Sequence, residues 1–311
     1  MQADENMAEP KKTVVIEAVI VDDSNKKHAG STQSGQENHV KSSQQKLSAI
    51  ATAHHIDAKL HDIEHDSLTT RAGYRQLQIK QQQQANLEQI IKITHDLCRD
   101  ETSRSPDPDW LYRFFEMAKT IYGESMQNLW ARILKQEILK PGSTSLKALA
   151  LLETITQREA QALQRACSLA CTFGSDGSNK LITGFRQPEN GMRRYFKPDL
   201  AERLALGSFK LPFTDLMLLM DLGLILRTEL ESGLLDPASS LPLSGQGQTF
   251  MLTPLRKGAR IYYYRFSPTG NELAKLVGQK SHPEYLDALI ALLSRAFSVN
   301  SDVGSTVNEK A

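Results

Sequence analysis

The sequence predicts a mainly α fold, with a long N-terminal helix or helical hairpin, a compact helical core and a smaller α+β part. Three observations predict it. Residues 46–99 contain no proline and a single glycine, Gly73, and are rich in Gln, Lys, Glu and Ala. Residues 107–152 hold both tryptophans and repeat apolar side chains at three- and four-residue spacing. After Phe173 that pattern gives way to glycine loops and short apolar runs. The expected division is a disordered region 1–45, a coiled-coil-like helical segment 46–100, a helical core 105–172, an α+β part 173–280, a C-terminal helix 281–298 and a disordered tail 299–311.

The head is too polar to bury a core. Within it, residues 14–21 (VVIEAVIV) have strand character. Two readings are open: an incidental sticky stretch, or a segment that adds to a sheet edge or docks on a partner. In the next segment Leu60, Ile63, Tyr74 and Leu77 fit a heptad-like seam. Residues 81–84, all glutamine, interrupt it, and Leu87, Ile90, Ile91 and Leu97 resume it. So narrow a seam needs a second helix, from this chain or from another copy, which makes self-association one reading. His54, His61 and His65 fall near one another. His61 and His65 are one turn apart and could share a metal with Asp57 or Glu64. The run H-D-I-E-H lacks the Glu placement of H-E-x-x-H, so exposed histidines on a polar helix are the reading adopted.

Asp107 caps the core, Pro108 takes the first helical position and Asp109 meets the positive end of the helix dipole. Leu111, Phe114, Phe115, Ala118, Ile121 and Tyr122 form one apolar face, and Gly123 breaks it. Met126, Leu129, Trp130, Ile133, Leu134 and Ile138 form a second, stopped by Lys140-Pro141-Gly142. Ser143 or Ser145 caps a third helix through Leu146, Leu149, Leu152 and Ile155. Thr156 and Glu159 make a capping box that opens a fourth, through Leu163, Cys167 and Ala170. Four helices this short must pack on one another.

Those residues carry a resemblance. D-P-D-W-L-x-R-F-F (107–115), M-Q-N-L-W-A-R-I-L (126–134), P-G-S-T-S-L-K-A-L (141–149) and I-T-Q-R-E-A (155–160) resemble an uncharacterised family of conserved bacterial proteins over about half the chain. The W-A-x-I-L…L-x-x-L-T-x-x-E-A run is more distantly similar to the Abi-alpha group of presumed abortive-infection proteins, which implies a link to phage defence. Neither likeness brings a biochemical activity to particular residues.

Beyond Phe173, residues 174–180 form a loop without the G-x-x-x-x-G-K-[ST] spacing of a phosphate loop. Residues 181–185 and 192–196 read as strands joined at Asn190-Gly191, a hairpin signal. Their arms set Arg186, Arg193, Arg194 and Lys197 beside Phe185, Tyr195 and Phe196. This mixture can grip phosphates and stack bases, or it can be a solvated strand face. Residues 212–221 are a short apolar helix, 224–226 a strand, 229–248 a long loop, and 249–253 with 260–266 the arms of a hairpin. A helix from Ser267-Pro268 follows. That order resembles the second half of a winged-helix domain. The helix before the 224–226 strand has no basic residue and carries Asp215 and Asp221, so it is built for burial and not for reading bases. The hairpin still offers Arg256, Lys257, Arg260 and Arg265 beside three tyrosines as nucleic-acid contacts. Residues 283–297 read as an apolar helix, and the tail after Ser298 as loose.

Composition narrows the function. Net charge is +1 over 311 residues, so no overall field draws the chain to nucleic acid or anionic lipid. Three cysteines, Cys98, Cys167 and Cys171, with no framework spacing fit a reducing compartment. No run reaches the roughly 18 apolar residues of a membrane span and no signal peptide is visible, so a cytoplasmic protein without a membrane partner is expected. No nucleophile–base pair or metal-ligand spacing stands out; catalytic, metal and cofactor residues are expected to be none. The expectation is a non-enzymatic interaction or regulatory protein whose partner is another protein or a second copy. The alternatives are a nucleic-acid-binding protein using the basic hairpins, and an enzyme with a site assembled from distant residues.

Overall fold

The computed structural model describes residues 42–60, 66–188, 200–277 and 281–301. Residues 14–21, His61, Ile63, Glu64, His65, the Asn190-Gly191 turn with the 192–196 run, Arg193, Arg194, Lys197 and the tail beyond 301 lie outside the described residues. The chain divides into two compact units, with the boundary between Pro141 and Gly142.

Among the described residues the first unit, to residue 141, is helical. Helix α1 (Ser43–Ala53) opens with a reciprocal capping box between Ser42 and Gln45. Helix α2 (Leu68–Leu97) starts at Ser67, whose hydroxyl accepts from the Thr70 N–H, and runs unbroken through the four glutamines. Glutamine is a good helix former. Here Gln82 and Gln84 also reach ahead to Asn86 (2.9 Å) and Glu88 (2.8 Å). The buried stripe of α2 is Asn86, Ile90 and Thr94, while Tyr74, Leu77 and Ile91 are exposed.

Helix α3 (Pro108–Ala118) is capped by Asp107, whose carboxylate accepts from the Trp110 N–H at 2.9 Å. Helix α4 (Glu124–Leu139) follows the break at Gly123 and packs along α2. Trp110 stacks on Phe114 with ring centres 5.2 Å apart, and Phe114 meets Trp130 at the same distance. Both indoles are buried. Polar groups close the interior: Asn86 Nδ2 donates to the Lys119 carbonyl and Gln127 Nε2 to the Ile121 carbonyl, each at 2.9 Å.

The second unit, from residue 142, overturns the mainly α expectation. An eight-stranded antiparallel sheet dominates it, so the protein is α+β. Helices α5 (Leu146–Thr154) and α6 (Gln157–Ser168) carry the expected caps at Ser145 and Thr156. They pack against helices of the sheet unit, α7 (Phe213–Asp221) and α8 (Pro268–Val277). The strands are β1 (Cys171–Phe173), β2 (Asn179–Gln187), β3 (Leu200–Arg203), β4 (Leu230–Glu231), β5 (Leu241–Gly245), β6 (Gln248–Pro254), β7 (Arg260–Arg265) and β8 (Phe297–Ser301). Their order is β4-β7-β2-β1-β5-β6-β8, with β3 beside the far half of β2. Helix α9 (Pro283–Leu293) lies on β2 and β8, burying Tyr285, Leu286, Leu289, Leu292 and Leu293.

The winged-helix comparison fails on pairing. Strand β6 pairs with β5 and β8, and β7 with β2 and β4, so the 249–253 and 260–266 runs do not form a hairpin with each other. The 224–226 run contributes only an isolated bridge, Ile225 to Phe266. Three strands also lie where other structure was expected: β4 and β5 in the expected 229–248 loop, and β8 where the expected 283–297 helix, which ends at Leu293, gave way to a tail. Strand β5 escapes notice because Pro242 interrupts its pattern; Pro242 sits just beyond the end of β1 and pairs only with Met251 of β6. Strand β8 mixes Phe297 and Val299 with Ser298, Asn300 and Ser301, and is held by pairing along its whole length with β6.

Candidate interaction surface

The most chemically distinctive feature of the sheet is built around an irregularity in β2. Its register with β7 shifts between Ile182 and Gly184, leaving Thr183 as an extra residue. Gly184 follows at φ +155°, where an added Cβ would collide with the Glu202 carbonyl oxygen. The close approach of β3 therefore demands glycine. The Leu204 N–H donates to the Thr183 carbonyl at 2.7 Å, which ties down the end of β3 and aims Arg203 back over the sheet.

A compact polar group results. The Thr183 hydroxyl donates to Glu229 Oε1 at 2.5 Å, and Arg203 Nη1 donates to that same oxygen at 2.5 Å and to the Thr183 hydroxyl at 3.2 Å. The Arg203 guanidinium lies 4.1 Å from the ring centre of Tyr262. Side chains alternate along β7, so Arg260, Tyr262 and Tyr264 share a face. Arg186 stands opposite Arg260, and Glu231 opposite Tyr262. Arg260 Nη1 donates to Glu231 Oε2 at 2.7 Å. Tyr262 and Tyr264 are half-buried. Burial pushes the Tyr264 phenol above its ordinary pKa, with Glu229 adding and Arg203 opposing.

The other face of β7 does structural work. Tyr263 meets Phe173 edge-on at 5.0 Å. Lys180, 2% exposed, spends its ammonium on the Phe173 carbonyl (2.8 Å), Asp176 (2.6 Å) and the carbonyl and hydroxyl of Ser178 (3.1 and 3.0 Å). Arg265 pairs with Asp176 at 3.1 Å and donates to the Ser178 hydroxyl at 3.1 Å. Burial raises the Asp176 carboxyl, but hydrogen bonds from Lys180 and Ser178 outweigh it and hold the pKa at about 2. The cluster pins the 174–178 turn.

The basic residues singled out from sequence are thus dispersed. Arg186 and Arg260 are cross-strand neighbours on the tyrosine face, whereas Arg265 is on the opposite face. Arg256 and Lys257 lie in the β6–β7 connection, with Lys257 3.3 Å from Asp236. Arg193, Arg194 and Lys197 fall outside the described residues. Arg203, Glu229 and Thr183 were not foreseen. The alternation in R-I-Y-Y-Y-R was the signal for the tyrosine face, but their convergence depends on pairing between distant strands. Among the described residues no cluster of His, Cys, Asp and Glu could hold a metal ion. No described helix is long and apolar enough to cross a membrane.

Fold and surface define an α+β protein with a helical unit and an antiparallel-sheet unit. A family model described as a protein of unknown function, DUF2806, matches residues 70–290, and the chain belongs to that family. No curated protein and no solved structure matches the chain.

Proposed function

We propose that this chain is a non-enzymatic interaction protein that docks another protein on the tyrosine face of its sheet. The observation that carries this reading is the pairing of half-buried Tyr262 and Tyr264 with Arg203 stacked on Tyr262. Tyrosine and arginine are the side chains that most often anchor protein interfaces, because they present large, stiff, amphipathic area. The charges of this face favour a protein over a nucleic acid. Arg203 and Arg260 are already matched by Glu229 and Glu231, so little positive potential remains to displace counterions from phosphates. Phage defence, implied by sequence likeness alone, names a setting for such docking and no chemistry.

The test is purification of the tagged chain from its native cells under mild conditions, beside a Tyr262→Ala/Tyr264→Ala variant, with light scattering on both. A stoichiometric protein partner held by the wild type and lost by the variant is the expected result. A wild type that is monomeric and retains no partner defeats the reading.

A further inference from the structure

The strand order of the sheet ends at β4 and at β8, and an uncovered end invites pairing with a foreign strand. At one end β4 is only Leu230–Glu231. The short β3, beside β2, carries Glu202 and Arg203. Shortness and charge blunt both. The other end lacks such protection. Strand β8, F-S-V-N-S, has no charge and no proline, and its register with β6 runs from Phe297 to Ser301 without a shift. Among the described residues no strand lies on its other side.

The Leu255 N–H donates to the Ala296 carbonyl at 2.9 Å. Antiparallel ladders alternate bonded and unbonded pairs, so Ser298 and Asn300 turn their backbone groups to β6. Phe297, Val299 and Ser301 turn theirs outward, as a template for a further strand. The two faces of β8 differ. Phe297 is buried, edge-on to Phe185 at 6.4 Å, and Val299 on the same face is half-buried; Ser298 and Asn300 on the other are exposed.

One stretch of the chain suits this edge. Outside the described residues, the strand-like run is V-V-I-E-A-V-I-V (14–21), in which six of eight residues are β-branched. Val14, Ile16, Ala18 and Ile20 form a wholly apolar alternate set, and the single charge, Glu17, falls in the other. Laid beside β8, the apolar set continues the Phe297 and Val299 face, and Glu17 joins Ser298 and Asn300. Left without a partner, a run of this composition is an aggregation hazard. The tether to α1, residues 22–41, has 20 residues and extends to roughly 65 Å. That exceeds the roughly 40 Å breadth of a compact unit the size of residues 142–311.

We propose that residues 14–21 add to the outer edge of β8 in their own chain, as a further strand that covers the end of the sheet. This edge lies at the opposite end of the strand order from β7, so it stands or falls apart from the tyrosine face.

Amide hydrogen exchange of the full-length chain, read by mass spectrometry to single residues, tests it. It is run beside a chain lacking residues 1–21 and an Ile16→Pro/Val19→Pro variant. The two prolines fall in opposite alternate sets, so one of them removes an N–H from whichever side meets β8. In the wild type, amides of 14–21 and the outward amides of Phe297, Val299 and Ser301 are expected to exchange at least about tenfold slower than in the denatured chain. Both altered chains are expected to lose that protection at Phe297, Val299 and Ser301 and to keep wild-type rates in β2 and β7. The proposal is overturned if 14–21 exchanges as fast in the native protein as in the denatured one. It is equally overturned if either altered chain leaves the three outward amides as protected as before. Light scattering that shows a dimer for the wild type and a monomer for the shortened chain overturns it in favour of strand exchange between copies.

Discussion

Single residues act here mostly through burial and capping, and their chemistry is muted. Cys167 and Cys171 are buried, and burial pushes both thiols up to about 12. Only the thiolate reacts, so neither is a nucleophile at ordinary pH. Cys98 is partly exposed. Titration of the folded protein with a thiol reagent at pH 7–9 should therefore label Cys98 alone, and denaturant should release the other two. Rising pH within that window should not help, because both buried thiols stay protonated well below about 12. Early labelling of Cys167 or Cys171 would contradict the packing. Other residues were legible from local rules: Asp107, Ser145 and Thr156 cap their helices because a short oxygen-bearing side chain reaches an N–H two or three positions on. Arg203 was not legible, since its partners come from β2, β7 and the segment before β4.

Elements meet at close approaches that glycine permits. Gly270, in the first turn of α8, lies so near Leu224 that an added Cβ would strike the Leu224 carbonyl oxygen. The Ser267 hydroxyl fixes the approach, accepting from the Gly270 N–H at 3.0 Å and donating to the Gly223 carbonyl at 2.6 Å. Gly270→Ala should therefore destabilise by roughly 2–3 kcal/mol, the usual cost of overpacking. Gly73 in α2 has nothing within 4 Å of the same position. Gly73→Ala should stabilise by up to about 1 kcal/mol, since alanine lowers the entropy cost of the helix. Denaturant midpoints of the two variants check the opposite signs. At this scale the sequence read the helices well and the strands poorly. A helix declares itself through its own caps and period. Strands such as β5 and β8 are short and partly polar, and exist because a partner strand supplies their hydrogen bonds.

For the molecule as a whole, both tryptophans report on the helical unit, since Trp110 is 7% and Trp130 0% exposed. Native fluorescence should resist quenching by iodide and become quenchable when that unit unfolds; strong quenching of the folded protein would refute the buried cluster. Helices α5 and α6, the later part of the helical stretch 105–172, fall on the sheet side of the boundary at Pro141-Gly142. By itself the sequence determined the helices of residues 108–168, their caps and the burial of Phe114 and Trp130, because each is set by neighbours three or four positions away, whereas Tyr122, read onto the same apolar face, is exposed. Only the tertiary structure decided that the protein is α+β, that β6 and β7 take different partners, and that Arg203 stacks on Tyr262. Those outcomes depend on hydrogen bonds between strands far apart in the chain, and no local period encodes which strand will be next to which.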